Sequence, residues 1–176
     1  MNIPAPSSPV PAQSALSRFY WLLFLICLAP WFYLRLQQVT HSDMLWLGEA
    51  ALRLLDGKAM SEAAYDPTPP LSILIYILPA LLQKFLAFPL HIGVQLQAFG
   101  ILALSSLALI KSLKAFPDLT VPPRHILVCG YLLLNTLGAA LTFGERDHLF
   151  GMVLPPLVAI QLGLTAKTIK ASGWVW

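Results

Sequence analysis

Two short acidic sites hold most of the chemistry available in this chain of 176 residues. One is His41-Ser42-Asp43, and the other is Glu145-Arg146-Asp147-His148. A carboxylate held beside an acceptor hydroxyl or amide acts as a general base. A second carboxylate orients that acceptor, or holds a divalent cation against a phosphate. Arg146 adds a planar fork that matches phosphate oxygens. Asp43, Asp147 and Glu145 are therefore the candidate catalytic residues, and Arg146 and His148 the candidate substrate-binding residues. Each site also has a plainer reading. Asp43 beside a helix start complements the helix dipole by about 0.3–1 kcal/mol, and Glu145–His148 serves equally to keep a helical hairpin's turn in water. Metal dependence stays open. Cys27 and Cys129 lie in apolar segments and no CxxC or His/Cys ligand spacing occurs, so the cofactor expectation is none or a divalent cation.

The elements that must position these groups follow from composition. Hydrophobic residues make up 57% and charged residues 11%, against about 25% charged in a soluble domain, and mean hydropathy is +0.72. That surplus of apolar surface calls for lipid as the solvent. The apolar runs do not alternate as barrel strands do, so helices must satisfy the backbone. The net charge of +3 includes no basic run, which argues against nucleic acid. The expected fold is all-α, a polytopic transmembrane helical bundle of about four spans, with a juxtamembrane amphipathic helix and one interfacial or re-entrant helix.

Along the chain, residues 1–17 are rich in Pro, Ser and Ala and read as a disordered tail. Residues 18–170 form the membrane module, and 171–176 a short tail. The spans fall at Phe19–Leu34, Val94–Ile110, Ile126–Phe143 and Leu149–Thr165. Gly100, Ser105 and Ser106 are small packing positions in the second of these, Asn135 bonds a neighbouring helix from the third, and Trp31, Trp46, Trp174 and Trp176 anchor the interfaces. Residues 37–70 form an outer loop. Inside it, Ser42 as N-cap and Gly57 as stop bracket an amphipathic helix with Met44, Leu47, Ala51, Leu54 and Leu55 on one face, lying on the membrane surface. Leu71–Phe88 is too interrupted to cross, because Pro79, Pro89 and Lys84 break it and a central Lys costs about 2.5–3.5 kcal/mol.

Four spans place both termini inside and seven acids outside, with only Asp118 within; Arg18, Lys111, Lys114, Arg124, Lys167 and Lys170 are then inside. A five-span rival, in which Leu71–Phe88 crosses, satisfies the positive-inside rule better. It separates Asp43 from Asp147.

The order of features resembles the N-terminal part of GT-C-fold glycosyltransferases, of the protein O-mannosyltransferase and lipid A aminoarabinose transferase type. The residues that carry the resemblance are Asp43, Leu54-Leu55-Asp56-Gly57, Pro69-Pro70-Leu71 and Gly144-Glu145-Arg146-Asp147-His148-Leu149, within a stretch from Phe19 to Thr165. It implies a polyprenyl-phosphate sugar donor, an inverting transfer at the outer face of a bacterial-type inner membrane, Asp43 as base, and Asp147 or Glu145 as the second acid. It also keeps Pro69-Pro70-Leu71 on the outer side. Met44 stands where the family carries another acid, and family members run to several hundred residues. The expectation is thus a truncated or fragmentary transferase, inactive alone, whose partners are membrane lipid, the polyprenyl-phosphate sugar and other membrane subunits. The rival is a non-catalytic small integral membrane protein, either an assembly partner or an inactive remnant.

Overall fold

A computed structural model describes residues 29–34, 42–64, 69–116, 118–119, 121–138 and 142–166. Both expected tails, His41, Cys27, Trp174, Trp176 and most of the Phe19–Leu34 span lie outside the described residues. The chain divides into two units, Met1–Gln38 and Val39–Trp176. In the first unit, residues 29–34 are helical (α1), with Tyr33 and Leu34 exposed. Every regular element described in the second unit is also helical.

The second unit opens with α2, Ser42–Leu55, over the stretch that the apolar spacing predicts. Gly57 takes φ +83°, a left-handed value that glycine adopts without a Cβ clash. Its N–H bonds the Leu54 carbonyl at 3.0 Å and the Lys58 N–H bonds the Arg53 carbonyl at 3.1 Å, which closes the helix in a Schellman motif. The short helix α3, Met60–Ala63, follows. The apolar face of α2 departs from expectation. Met44, Leu47, Ala50 and Ala51 are buried against protein, in one cluster with Ile73, Tyr76, Ala80, Leu90 and Val94. Leu54 and Leu55 pack at its edge. The helix therefore lies on its neighbours, where sequence periodicity alone suggested a lipid surface.

Those neighbours come from the interrupted segment. Pro70–Leu74 (α4) and Ile77–Leu86 (α5) are separate helices joined at Ile75-Tyr76. Pro70 sits in the first turn of α4 and Pro79 in that of α5, where a missing N–H breaks no intrahelical bond. The Gln97 side-chain N–H₂ donates to the Ile75 carbonyl at 2.6 Å, satisfying the break from outside. Lys84 donates from Nζ to the Leu55 carbonyl at 2.6 Å and to Asp56 Oδ1 at 2.8 Å. A residue counted against spanning thus caps the C-terminus of α2 and clamps α5 to it. At 10 residues α5 rises only about 15 Å, half of a hydrocarbon core.

Leu90–Lys114 (α6, 25 residues) and Arg146–Thr165 (α8, 20 residues) are long and apolar enough to cross a membrane. They pack against each other more extensively than any other pair. Between them, Val121–Leu133 (α7) continues into a π-helical turn, Leu134–Gly138. The predicted span over Ile126–Phe143 is displaced here: helix begins at Val121, and Phe143 is fully buried in the turn before α8. Asn135 and Thr136 lie in that π turn. Both donate back to carbonyls of their own helix, Asn135 to Tyr131 at 2.9 Å and Thr136 to Leu132 at 2.7 Å, so the expected bond from Asn135 to a neighbouring helix is replaced by an intrahelical one. The connection between helices comes instead from Tyr131, whose hydroxyl donates to the Met152 carbonyl at 2.6 Å. Pro156, four residues on, has no N–H to offer that carbonyl. Ser105 and Ser106 are buried as expected. Gly100 is exposed with open space around its Cβ position, so it is not a packing position.

Candidate functional site

The first turns of α2 and α8 meet at one end of the bundle, with the break between α4 and α5 beneath them. They enclose a cleft of about 300 Å³. Its walls are Asp43, Met44, Trp46 and Leu47 from α2, Tyr76 from the break, and Glu145, Arg146 and Asp147 from the start of α8. Asp43, Glu145 and Asp147, nominated from sequence and separated by about a hundred positions, therefore border one space.

The turn that delivers Glu145 and Asp147 is built around Gly144. Its φ is +90°, and a Cβ there would stand 3.2 Å from Met44 Sδ and 3.4 Å from Ala98 Cβ. Only glycine lets this turn lie down on α2 and α6. Met44, at the position where the resembled family carries an acid, is 1% exposed under the turn, so in this chain that position serves packing. Gly144→Ala is expected to destabilise the fold by about 1–3 kcal/mol, the range for a non-glycine residue held at positive φ. Urea or SDS titration of the reconstituted chain measures it, and an unchanged midpoint would show that the turn relaxes freely.

His148 does not line the cleft. Its Nδ1 accepts the Gly144 N–H at 3.2 Å, and its ring lies tilted against Phe143 at 5.3 Å, which in turn lies tilted against Phe99 at 4.8 Å. One helical step past Asp147 rotates the side chain under the turn, where its Nδ1 braces Gly144. Arg146 does border the cleft. Its Nη1 donates to the hydroxyl of Ser72 at 3.2 Å and its Nε lies 3.5 Å from Asp147 Oδ1. The guanidinium thus bridges α8 to α4 while its side chain stays 43% exposed.

Tyr76 escaped the sequence reading. It is 1% exposed, and its hydroxyl donates to the Gly144 carbonyl at 2.9 Å. Burial pushes its hydroxyl pKa well above the usual tyrosine value, and the charge of Glu145 pushes it further. The phenol therefore stays neutral and a donor, a fixed strut between the helix break and the acidic turn. Its signal in the sequence is slight, a single polar-tipped aromatic within the apolar run Leu71–Leu82. Trp46, expected at an interface, is a half-buried wall of the cleft.

Among the described residues no three His, Cys, Asp or Glu side chains converge as a metal-binding group. The carboxylates share the cleft without forming a cation cage. The arrangement offers an exposed carboxylate, Asp43, opposite a second acidic pair, with one guanidinium alongside and an aromatic wall. That set suits proton abstraction from a polar acceptor. No protein-family model, no curated protein and no solved structure matches the chain.

Proposed function

We propose that the chain is a multi-pass protein of a bacterial-type inner membrane, with the outer-face cleft acting as the acceptor-activating part of a polyprenyl-phosphate-sugar glycosyltransferase site. The observation that carries this reading is the shared cleft of Asp43, Glu145 and Asp147. In the proposed reaction an Asp43 oxygen takes the proton from the acceptor hydroxyl or amide. The acceptor atom forms a bond to the anomeric carbon, the bond from that carbon to the phosphate oxygen breaks, and polyprenyl phosphate leaves with its electron pair. Attack opposite the leaving group inverts the anomeric centre. Arg146 pairs with phosphate oxygens, and Glu145 or Asp147 orients the acceptor. The donor-lipid groove needs helices beyond those described, from a longer chain or from other membrane subunits.

The four-span reading belongs to the same proposal. It is supported by the break at Ile75-Tyr76, which leaves α4 and α5 each too short to cross, and by the cleft common to Asp43 and Asp147. Single cysteines introduced at Asp43 and at Asp147 are expected to react with a membrane-impermeant maleimide from the same side. Labelling from opposite sides would remove the shared site and favour five spans.

The direct test uses a photoactivatable polyprenyl phosphate in nanodiscs carrying the full chain together with the helices that complete the donor groove. Cross-links are expected to map to peptides holding the cleft residues, and Arg146→Ala is expected to weaken them. Labelling equal to that by the unphosphorylated prenol would sink the transferase reading in favour of a non-catalytic membrane protein.

A further inference from the structure

The end of the bundle away from the cleft has the opposite charge character. Lys111 and Lys114 are exposed in the last turn of α6, and Arg124 lies in the first turns of α7. Arg124 Nη2 donates to the Phe116 carbonyl at 2.9 Å, which ties the start of α7 to the stretch leaving α6. Asp118 is exposed in the same connection, so the described residues of α6, α7 and the stretch between them carry three cations against one acid here.

The two lysines are accounted for by their helix, because cations near a C-terminus complement its dipole. Arg124 is not. It lies near the N-terminal, positive end of α7, where a cation is disfavoured. Its described partner is a neutral carbonyl, and its Nε is buried without an acceptor among the described residues. A guanidinium in that setting lacks an anion with several oxygens to accept its fork. Next to Arg124 the surface turns apolar at once: Ile126 is 71% and Leu127 50% exposed, and α6 exposes Leu104 and Leu107 before its lysines. Cations at the end of an exposed apolar wall match the two halves of a phospholipid.

We propose that Lys111, Lys114 and Arg124 bind the phosphate of an anionic phospholipid, whose acyl chains lie along the apolar surface of α6 and α7. Basic groups between membrane helices recognise such headgroups, at about fivefold in affinity per cation near the surface. The proposal rests on the membrane placement of α6 and α7, and holds whether or not the cleft catalyses transfer.

The test reconstitutes the full chain in vesicles of phosphatidylcholine with a minority of phosphatidylglycerol, then counts lipids retained on release by native mass spectrometry. Phosphatidylglycerol is expected to be retained above its share of the vesicle. Arg124→Gln and Lys114→Gln are each expected to reduce that preference about fivefold, with Arg124→Lys retaining most of it. Should Arg124→Gln fail to fold, the double variant Lys111→Gln/Lys114→Gln carries the test. Retention at the vesicle ratio, or a preference untouched by the variants, would overturn the proposal. So would displacement by millimolar inorganic phosphate, which would mark a site for free phosphate. Failure to retain lipid of either class would count against the membrane placement itself.

Discussion

Asp43→Asn is expected to abolish measurable glycosyl transfer while leaving membrane insertion and the fold intact. A general base contributes about 10²–10⁴-fold to rate, and an amide of the same shape cannot take the acceptor proton. The fold has little stake in this side chain. Asp43 is exposed at the first turn of α2, and the burial that holds the helix comes from Met44, Leu47, Ala50 and Ala51. Loss of the dipole interaction accounts for only about 0.3–1 kcal/mol. The measurement is transfer from a radiolabelled polyprenyl-phosphate sugar in membranes where the chain stands together with the helices that complete the donor groove, alongside a cysteine-accessibility map of the variant. Retained transfer with normal insertion would remove the base role. Equal losses for Asp43→Asn and Glu145→Gln would instead assign the carboxylates a joint role in holding the acceptor.

The largest expected effect on stability belongs to Tyr76→Ala. Tyr76 is among the largest fully buried side chains, at the centre of the cluster that joins α2, the break between α4 and α5, and the start of α6. Truncating a buried aromatic to alanine costs about 3–5 kcal/mol, enough to unfold this end of a marginally stable bundle. Tyr76→Phe separates the packing from the hydrogen bond. It keeps the ring and deletes only the donor to the Gly144 carbonyl, at a cost of about 0.5–1.5 kcal/mol. The phenylalanine variant should therefore fold nearly normally, yet leave the acidic turn less firmly placed. Two measurements distinguish these cases: unfolding midpoints for both variants, and cross-linking to the photoactivatable polyprenyl phosphate for Tyr76→Phe. A midpoint for Tyr76→Ala within experimental error of the parent would contradict the packing argument. Because the phenol is neutral throughout the accessible pH range, neither midpoint shift should depend on pH between 5 and 9.

Much of the architecture was legible because its signals are local. The stop of α2 could be read from Gly57, since a helix stop needs only a glycine at positive φ and the carbonyls just before it. α6 and α8 were legible from length and apolarity. The break before α8 was legible because the charges of Glu145, Arg146 and Asp147 interrupt two long apolar runs. Some roles escaped the sequence reading, through partners far away in the chain and through partners a single turn away. The capping role of Lys84 was hidden because its acceptors, Leu55 and Asp56, lie 29 and 28 positions earlier. The bond from the Gly144 N–H to His148 could not be read from periodicity, which gives no warning that one step past Asp147 turns the ring toward that turn. Hydropathy also counted Phe143 with the third span, because it does not register the turn around Gly144 in which that ring is buried.

The sequence by itself determined that this protein is helical and strongly apolar, which residues could serve as acid or base, and where α2 stops. These follow from composition and from interactions within a few residues. Tertiary structure alone decided that Asp43 shares a cleft with Glu145 and Asp147, that α2 rests on protein, and that Tyr76 braces the acidic turn. Each of these depends on contacts between groups tens of positions apart. Such pairings are chosen by packing the whole bundle at once, so no single stretch of sequence carries them.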